Sequence, residues 1–286
     1  MSEKQPIVVG VDGSEESYDA VRWAAHDAAQ AHAPLMLFSV TGGFLSTWMP
    51  SSYFADLERE SFASIERAER VVREEVGDGL VDVLSRIVTG PPVRELVVMS
   101  KSASRIVVGS QGGMDSGISK VIGSTAAALA AHSQCPVAIV PAGAAHSRNG
   151  RIAVGIDGTR RNETAIGTAF EEAAARSAEL VAVYTWAEIG TASALAGRDF
   201  PWDETRVAEE IILAEALAGW SEKYPEVDVN RCVVADDAAR TLAELSRTLD
   251  LVVVGSRRRG GFMGMVVGST SIALLDSAQS PLLIVH

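Results

Sequence analysis

RIVVGSQGGMDSGISKVIGST, residues 105–125, is the stretch from which the fold can be read. Arg105 leads into a short apolar run, Ile106, Val107 and Val108, that stops at Gly109. A glycine-rich loop follows and arrives at Gly123-Ser124-Thr125, where an alanine-rich helical pattern begins. The order is strand, bare-backbone loop, helix N-terminus. Such a segment offers unpaired N–H groups and the positive end of a helix dipole to an anion, so phosphate binding is the first functional expectation. A second copy, LVVVGSRRRGGFMGMVVGST, occupies residues 251–270.

Working outward, the copy extends to the whole chain. IVVGVDGSEES at 7–17 returns as IAVGIDGTRRN at 152–162, placing Gly10 and Gly155 145 positions apart. Gly109 and Gly255 are separated by 146, Gly123 and Gly268 by 145, and Pro136 and Pro281 by 145. An offset this constant predicts two homologous domains, 1–143 and 150–286, joined by a small, polar, glycine-bounded linker. The chain length suits two domains that each bury a core.

Within each copy, β-branched runs alternate with helical spacing. The first copy predicts strands over 7–11, 35–40, 81–88, 105–108 and 137–140. Between them come helices, with a loop over 41–54 and a short helix over 93–101. The second predicts strands near 152–156, 180–185, 227–234, 251–254 and 282–285. Alternation of this kind means right-handed βαβ units and a parallel sheet with helices on both faces, an α/β fold. Ligands of such sheets sit beyond the carboxyl ends of the strands, where the winding reverses. If strands one and four are neighbours, Asp12 faces Gly109 across that crevice, and Asp157 faces Gly255. For either aspartate an Asx-type turn or helix cap is the competing reading beside ligand contact.

Composition narrows the function. A formal charge of −12 and a pI near 4.9 exclude non-specific binding to nucleic acid or an anionic membrane, which needs a basic face. Hydrophobic content of 47% and a mean hydropathy of +0.16 describe a soluble globular chain. Cys135 and Cys232 form no CxxC, and the five histidines form no HxxxH pair, so no zinc site is expected. The N-terminus lacks a secretory apolar region, and the reading is a reduced cytoplasmic protein.

Catalytic motifs are missing. There is no GxxxxGK[ST], no GxGxxG after either first strand, no GxSxG elbow, and no histidine at matching positions of the two copies. Gly155 stands where a phosphotransferase aspartate motif needs a second carboxylate. Arg257, Arg258 and Arg259 either neutralise phosphate or form an exposed basic loop. The five tryptophans are scattered and read as core or interface.

Together the motifs resemble the universal stress protein family, in its tandem-domain actinobacterial form. VVGVDGS and AVGIDGT at strand one carry the resemblance, with VVGS and VVVGS at strand four. Gly-Ser-Thr opening the last helix, and CPVAIV and SPLLIV at strand five, complete it. It spans essentially the whole chain. It implies two Rossmann-like domains, each a five-stranded parallel sheet in the order 3-2-1-4-5. It also implies ATP binding, with or without Mg2+, through a G-x2-G-x9-G-[ST] loop and an aspartate at the end of strand one.

Matched by residue, the resemblance points in the first half to Gly10, Val11, Asp12, Val40, Val108, Gly109, Gly112, Gly113, Gly123, Ser124 and Thr125. In the second half it points to Gly155, Ile156, Asp157, Thr185, Val254, Gly255, Arg258, Gly268, Ser269 and Thr270. Neither loop fits the signature cleanly. Ten residues separate Gly112 from Gly123, and the spacing of nine is recovered only with Gly113 as the second glycine. Arg258 replaces that glycine in the second half, where its side chain either crowds the phosphates or holds them.

The function implied is a non-catalytic or at most slowly hydrolysing nucleotide-dependent stress-response regulator. A cyclic-AMP-binding variant and an interaction module that has lost nucleotide binding are the alternatives. An internal pseudo-dimer of domains, joined through fifth strands, and a homodimer of chains are the assembly the resemblance implies.

Overall fold

A computed structural model describes residues 4–41, 51–111, 123–144, 149–159, 162–186, 202–256 and 268–286, the side chains of 51–54 and 202–204 excepted. The chain divides into two compact units, Met1–His146 and Ser147–His286.

The first unit runs β1 (Ile7–Gly10), α1 (Glu15–Ala31), β2 (Leu35–Thr41), α2 (Ser51–Val76), β3 (Val83–Thr89), α3 (Pro92–Met99), β4 (Arg105–Gly109), α4 (Ser124–His132) and β5 (Val137–Val140). Its strands are parallel and ordered β3-β2-β1-β4-β5. The chain steps outward from β1 to β3, then returns to the other side of β1 for β4. Strands one and four are therefore neighbours, with Val8 beside Ile106 and Val9 beside Val107.

The second unit repeats this with β6 (Arg151–Ile156), α5 (Glu163–Arg176), β7 (Glu179–Thr185), α6 (Trp202–Lys223), β8 (Val229–Val234), α7 (Ala238–Leu245), β9 (Leu251–Gly255), α8 (Ser269–Ser277) and β10 (Leu282–Val285). Its order is β8-β7-β6-β9-β10, again all parallel. Both units carry the expected 3-2-1-4-5 arrangement.

The central strands are apolar on both faces because helices cover both. Val8, Val9, Ile106 and Val107 are 0% exposed, as are Ile152, Val154, Val252 and Val253. The strands β3 and β8 are polar where they meet solvent, at Ser85 and Arg86 and at Asn230 and Arg231, which discourages edge-to-edge pairing.

Boundaries moved for physical reasons. Strand three starts at Val83 rather than 81, and its repeat at Val229 rather than 227. Val81 and Val227 are apolar because they are buried at 8% exposure before the ladder begins. Helix α2 already spans Ser51, so the loop expected over 41–54 is shorter than its glycines and proline suggested.

Helix α1 is capped by Ser14, whose side chain accepts from Ser17 N–H, and its acidic first turn suits the helix dipole. It ends at His32 in the left-handed region, φ 48°, and α5 ends likewise at Ser177, φ 50°. In the second unit the rings of Phe170, Trp220 and Tyr224 stack on one another in a cluster, and Gly167 leaves room for Trp220.

Candidate functional site

The reversal between β1 and β4 sets a crevice whose first wall is the Asp12-Gly13-Ser14 turn. Asp12 Oδ1 accepts from Ser14 N–H at 3.0 Å and from Ser14 Oγ at 2.5 Å. The repeat reproduces it: Asp157 Oδ1 accepts from Thr159 N–H at 2.9 Å and Thr159 Oγ1 at 2.8 Å. Gly13 and Gly158 sit at φ +86° and +72°, a conformation that favours glycine and turns the chain sharply from strand to helix. The Asx-turn reading of both aspartates is thus observed. Asp12 is nonetheless exposed at the strand end, and holding a carboxylate rigid is compatible with its meeting a ligand.

The second wall is the end of strand four. Ser110 N–H donates to Val140 O at 2.9 Å, and Ser110 O in turn accepts from Gly123 N–H at 2.9 Å. The same latch recurs where Ser256 N–H meets Val285 O and Gly268 N–H meets Ser256 O, both at 2.7 Å. Each latch fastens the two ends of the glycine-rich loop together. It brings a helix N-terminus to the carboxyl end of the central strands. Gly123 and Gly268 are the N-caps of α4 and α8, and no side chain caps either helix. First-turn N–H groups there lack intrahelical acceptors and carry the positive pole of the helix. Ser124 and Ser269 are exposed and Thr125 and Thr270 half-buried, so hydroxyls accompany those amides.

Close approach explains two glycines of the first unit. A Cβ on Gly109 would stand 2.9 Å from Glu16 O and 3.0 Å from its carbonyl carbon, so α1 packs its backbone on the end of β4. A Cβ on Gly10 would come within 3.2 Å of Val108 Cγ1 and 3.8 Å of Leu96. Gly155 similarly faces Leu242 and Val254. Gly10 and Gly155 are therefore explained by packing beneath the site. Val11, Val108, Ile156 and Val254 are buried at the carboxyl ends of the central strands, while Val40 and Thr185 are half-buried at the ends of β2 and β7. Gly112, Gly113 and Arg258 lie outside the described residues.

Charge near the first crevice is balanced at the surface. Glu15 pairs with Arg67 at 2.6 Å, and this bond raises the Arg67 pKa further above its ordinary value, while the ring of Tyr18 lies 4.1 Å from the guanidinium. Among the described residues no group of His, Cys, Asp and Glu could hold a metal ion, and none of their helices is long and apolar enough to cross a membrane.

Two residues escape a reading of motifs. Ser271 Oγ donates to Gly255 O at 2.9 Å, tying α8 to the end of β9 by a side chain; Ala126 at the matching place cannot do so. Asn162 lies against Gly255, its Nδ2 3.4 Å from the place a Cβ there would take. Aligning the two copies position by position would have marked both as differences.

The fold agrees with that of known proteins. The profile of the universal stress protein family matches residues 4–141 and again 148–286. Universal stress protein Rv2005c of Mycobacterium tuberculosis is 38% identical over 288 residues, covering 97% of this chain and 96% of that one. A universal stress protein of Mycolicibacterium smegmatis is 38% identical over 288 residues, covering 98% and 96%. The crystal structure of a universal stress protein from Archaeoglobus fulgidus superposes with a TM-score of 0.69 at 19% identity, covering 98% of each chain, a likeness of fold.

Proposed function

The chain belongs to the universal stress protein family, and from that premise we propose that it is a tandem ATP-binding regulator of the stress response, with one nucleotide site in each half. The observation that carries the reading is the paired latch, Gly123 to Ser110 and Gly268 to Ser256. In both units it sets an uncapped helix N-terminus at the strand ends beside a rigid aspartate turn. Amides and hydroxyls at Ser124, Thr125, Ser269 and Thr270 suit phosphate, which accepts hydrogen bonds and carries the matching charge. Asp12 and Asp157 suit the hydroxyls of a ribose, which donate. Mg2+ would arrive on the phosphate oxygens. Hydrolysis is not part of the proposal, since no histidine stands at matching positions of the two copies to serve both as a general base.

A homodimer is the assembly proposed, and sedimentation of the full chain tests it. Binding is tested by denaturing the purified protein and assaying released nucleotide, followed by titration with ATP and competition by cyclic AMP. Co-purifying adenine nucleotide, or a saturable ATP signal that cyclic AMP displaces only weakly, supports the reading. A preparation that carries no adenine nucleotide and gives no saturable signal with ATP would sink it.

A further inference from the structure

The two crevices differ at the buried polar position that opens the first helix of each unit. Ser17 and Asn162 occupy the same place in the repeated turn. Ser17 is 4% exposed and spends its side chain locally, its Oγ donating to Ser14 O at 2.8 Å. Asn162 is 7% exposed, and its Oδ1 is buried without a hydrogen-bond partner. Asparagine preceding a helix ordinarily turns that oxygen back onto the first-turn amides. Asn162 does not, because its backbone is already in the helical region (φ −81°, ψ −7°) and its side chain makes no capping bond. The carboxamide instead lies over Gly255, at the end of β9. In the first unit the backbone of Glu16 fills the equivalent place over Gly109. A polar side chain thus packs on the end of β9 where the main chain packs on the end of β4.

An amide oxygen buried without a donor bears its whole desolvation cost, so in the working protein a donor should meet it. Ionised phosphate offers acceptors only. The donors of an adenine nucleotide are its ribose hydroxyls and its exocyclic amine. We propose that Asn162 is a selectivity residue of the second unit's nucleotide site, its carboxamide oxygen accepting a hydrogen bond from a donor of the bound nucleoside. This rests on the nucleotide-binding reading above. The first unit has no equivalent, so the two halves of one chain discriminate differently among nucleotides.

The test isolates the second site in a Gly123→Glu background, in which the first helix N-terminus carries an acidic side chain. Calorimetric titrations compare ATP with 2′-deoxy-ATP, 3′-deoxy-ATP and purine riboside triphosphate. With Asn162 present, the analogue lacking the recognised donor binds about tenfold more weakly than ATP, the cost of orphaning one buried acceptor. Which analogue fails identifies sugar or base as the source. In Asn162→Ala the preference shrinks to about twofold or less, while the unfolding temperature without nucleotide holds or rises because the orphan is gone. Equal binding of all four ligands by the parent, as an ordered water on the oxygen would give, overturns the proposal. So does a preference that survives in Asn162→Ala, or a loss of unliganded stability with the preference unchanged. ATP binding with unaltered selectivity removes only the role of Asn162, whereas no ATP binding in wild type removes the nucleotide reading as well.

Discussion

Gly109 and Gly255 hold the same place in the two copies and meet different neighbours. The first lies under the carbonyl of Glu16, main chain that cannot yield without moving α1. The second lies under the Nδ2 of Asn162 at an ordinary contact distance of 3.4 Å. Gly109→Ala should therefore lower stability by about 1–3 kcal/mol as an overpacking change, and Gly255→Ala should leave the urea midpoint of its unit nearly unchanged. Equal effects would refute the assigned close approach. A second residue-scale expectation concerns the thiols. Burial pushes the Cys135 thiol up, so the folded chain keeps a proton that the unfolded chain releases as pH rises through the ordinary thiol range. Stability from this group is present below that range and falls as pH rises through it. Cys232 is half-buried, so native alkylation near pH ~8 should label Cys232 first and Cys135 only on unfolding. Early labelling of Cys135 in mass spectra would count against its burial.

Helix ends show how residues become elements, and how far sequence alone could see. His32 and Ser177 end their helices in the left-handed region, which penalises any side chain with a Cβ. His32→Gly and Ser177→Gly should each stabilise by about 1 kcal/mol, read as a raised denaturation midpoint. The strands were legible because parallel strands buried on both faces spell continuous β-branched runs, as Ile106–Val108 and Val252–Val254 do. The helix-opening Gly-Ser-Thr was legible because the cap chemistry is local. The latch was not, since a backbone bond from Gly123 to Ser110 leaves no mark on side-chain choice. Nor was the buried pair of Asp27 on α1 with Arg105 on β4, at 2.6 Å, because it joins residues distant in sequence. In the second unit Leu251 takes the arginine's place, and the acid Glu172 pairs with Arg176 on its own helix. Asp27→Ala should cost about 3–5 kcal/mol by removing the carboxylate paired with a largely buried guanidinium, and adding Arg105→Leu should restore most of it. Chemical denaturation of the single and double variants checks this; a double variant no better than Asp27→Ala would refute the pairing as the cause.

At the scale of the molecule, each half repeats the same five-strand order, aspartate turn and latch, and each end of the linker is fastened to its own half. Asp19 Oδ2 accepts from Gly143 N–H at 2.7 Å in the first unit, and Asp250 Oδ2 from Gly150 N–H at 2.8 Å in the second. The described turn and latch of each crevice are built from residues of one unit, and the two proposed sites should fill and fail separately. Wild type should take up two equivalents of ATP per chain, Gly123→Glu and Gly268→Glu one each, and the double variant none. Ligand at about a hundredfold above Kd stabilises a binding unit by about 2.7 kcal/mol. In Gly123→Glu that gain should appear only in the part of the unfolding profile that belongs to the second unit, and the reverse should hold for Gly268→Glu. Calorimetric stoichiometry and hydrogen exchange resolved by peptide read these outcomes independently. Protection that spreads equally over both units in either single variant would mean that the halves bind as one cooperative body, and the duplication would then have to be explained as a single composite site.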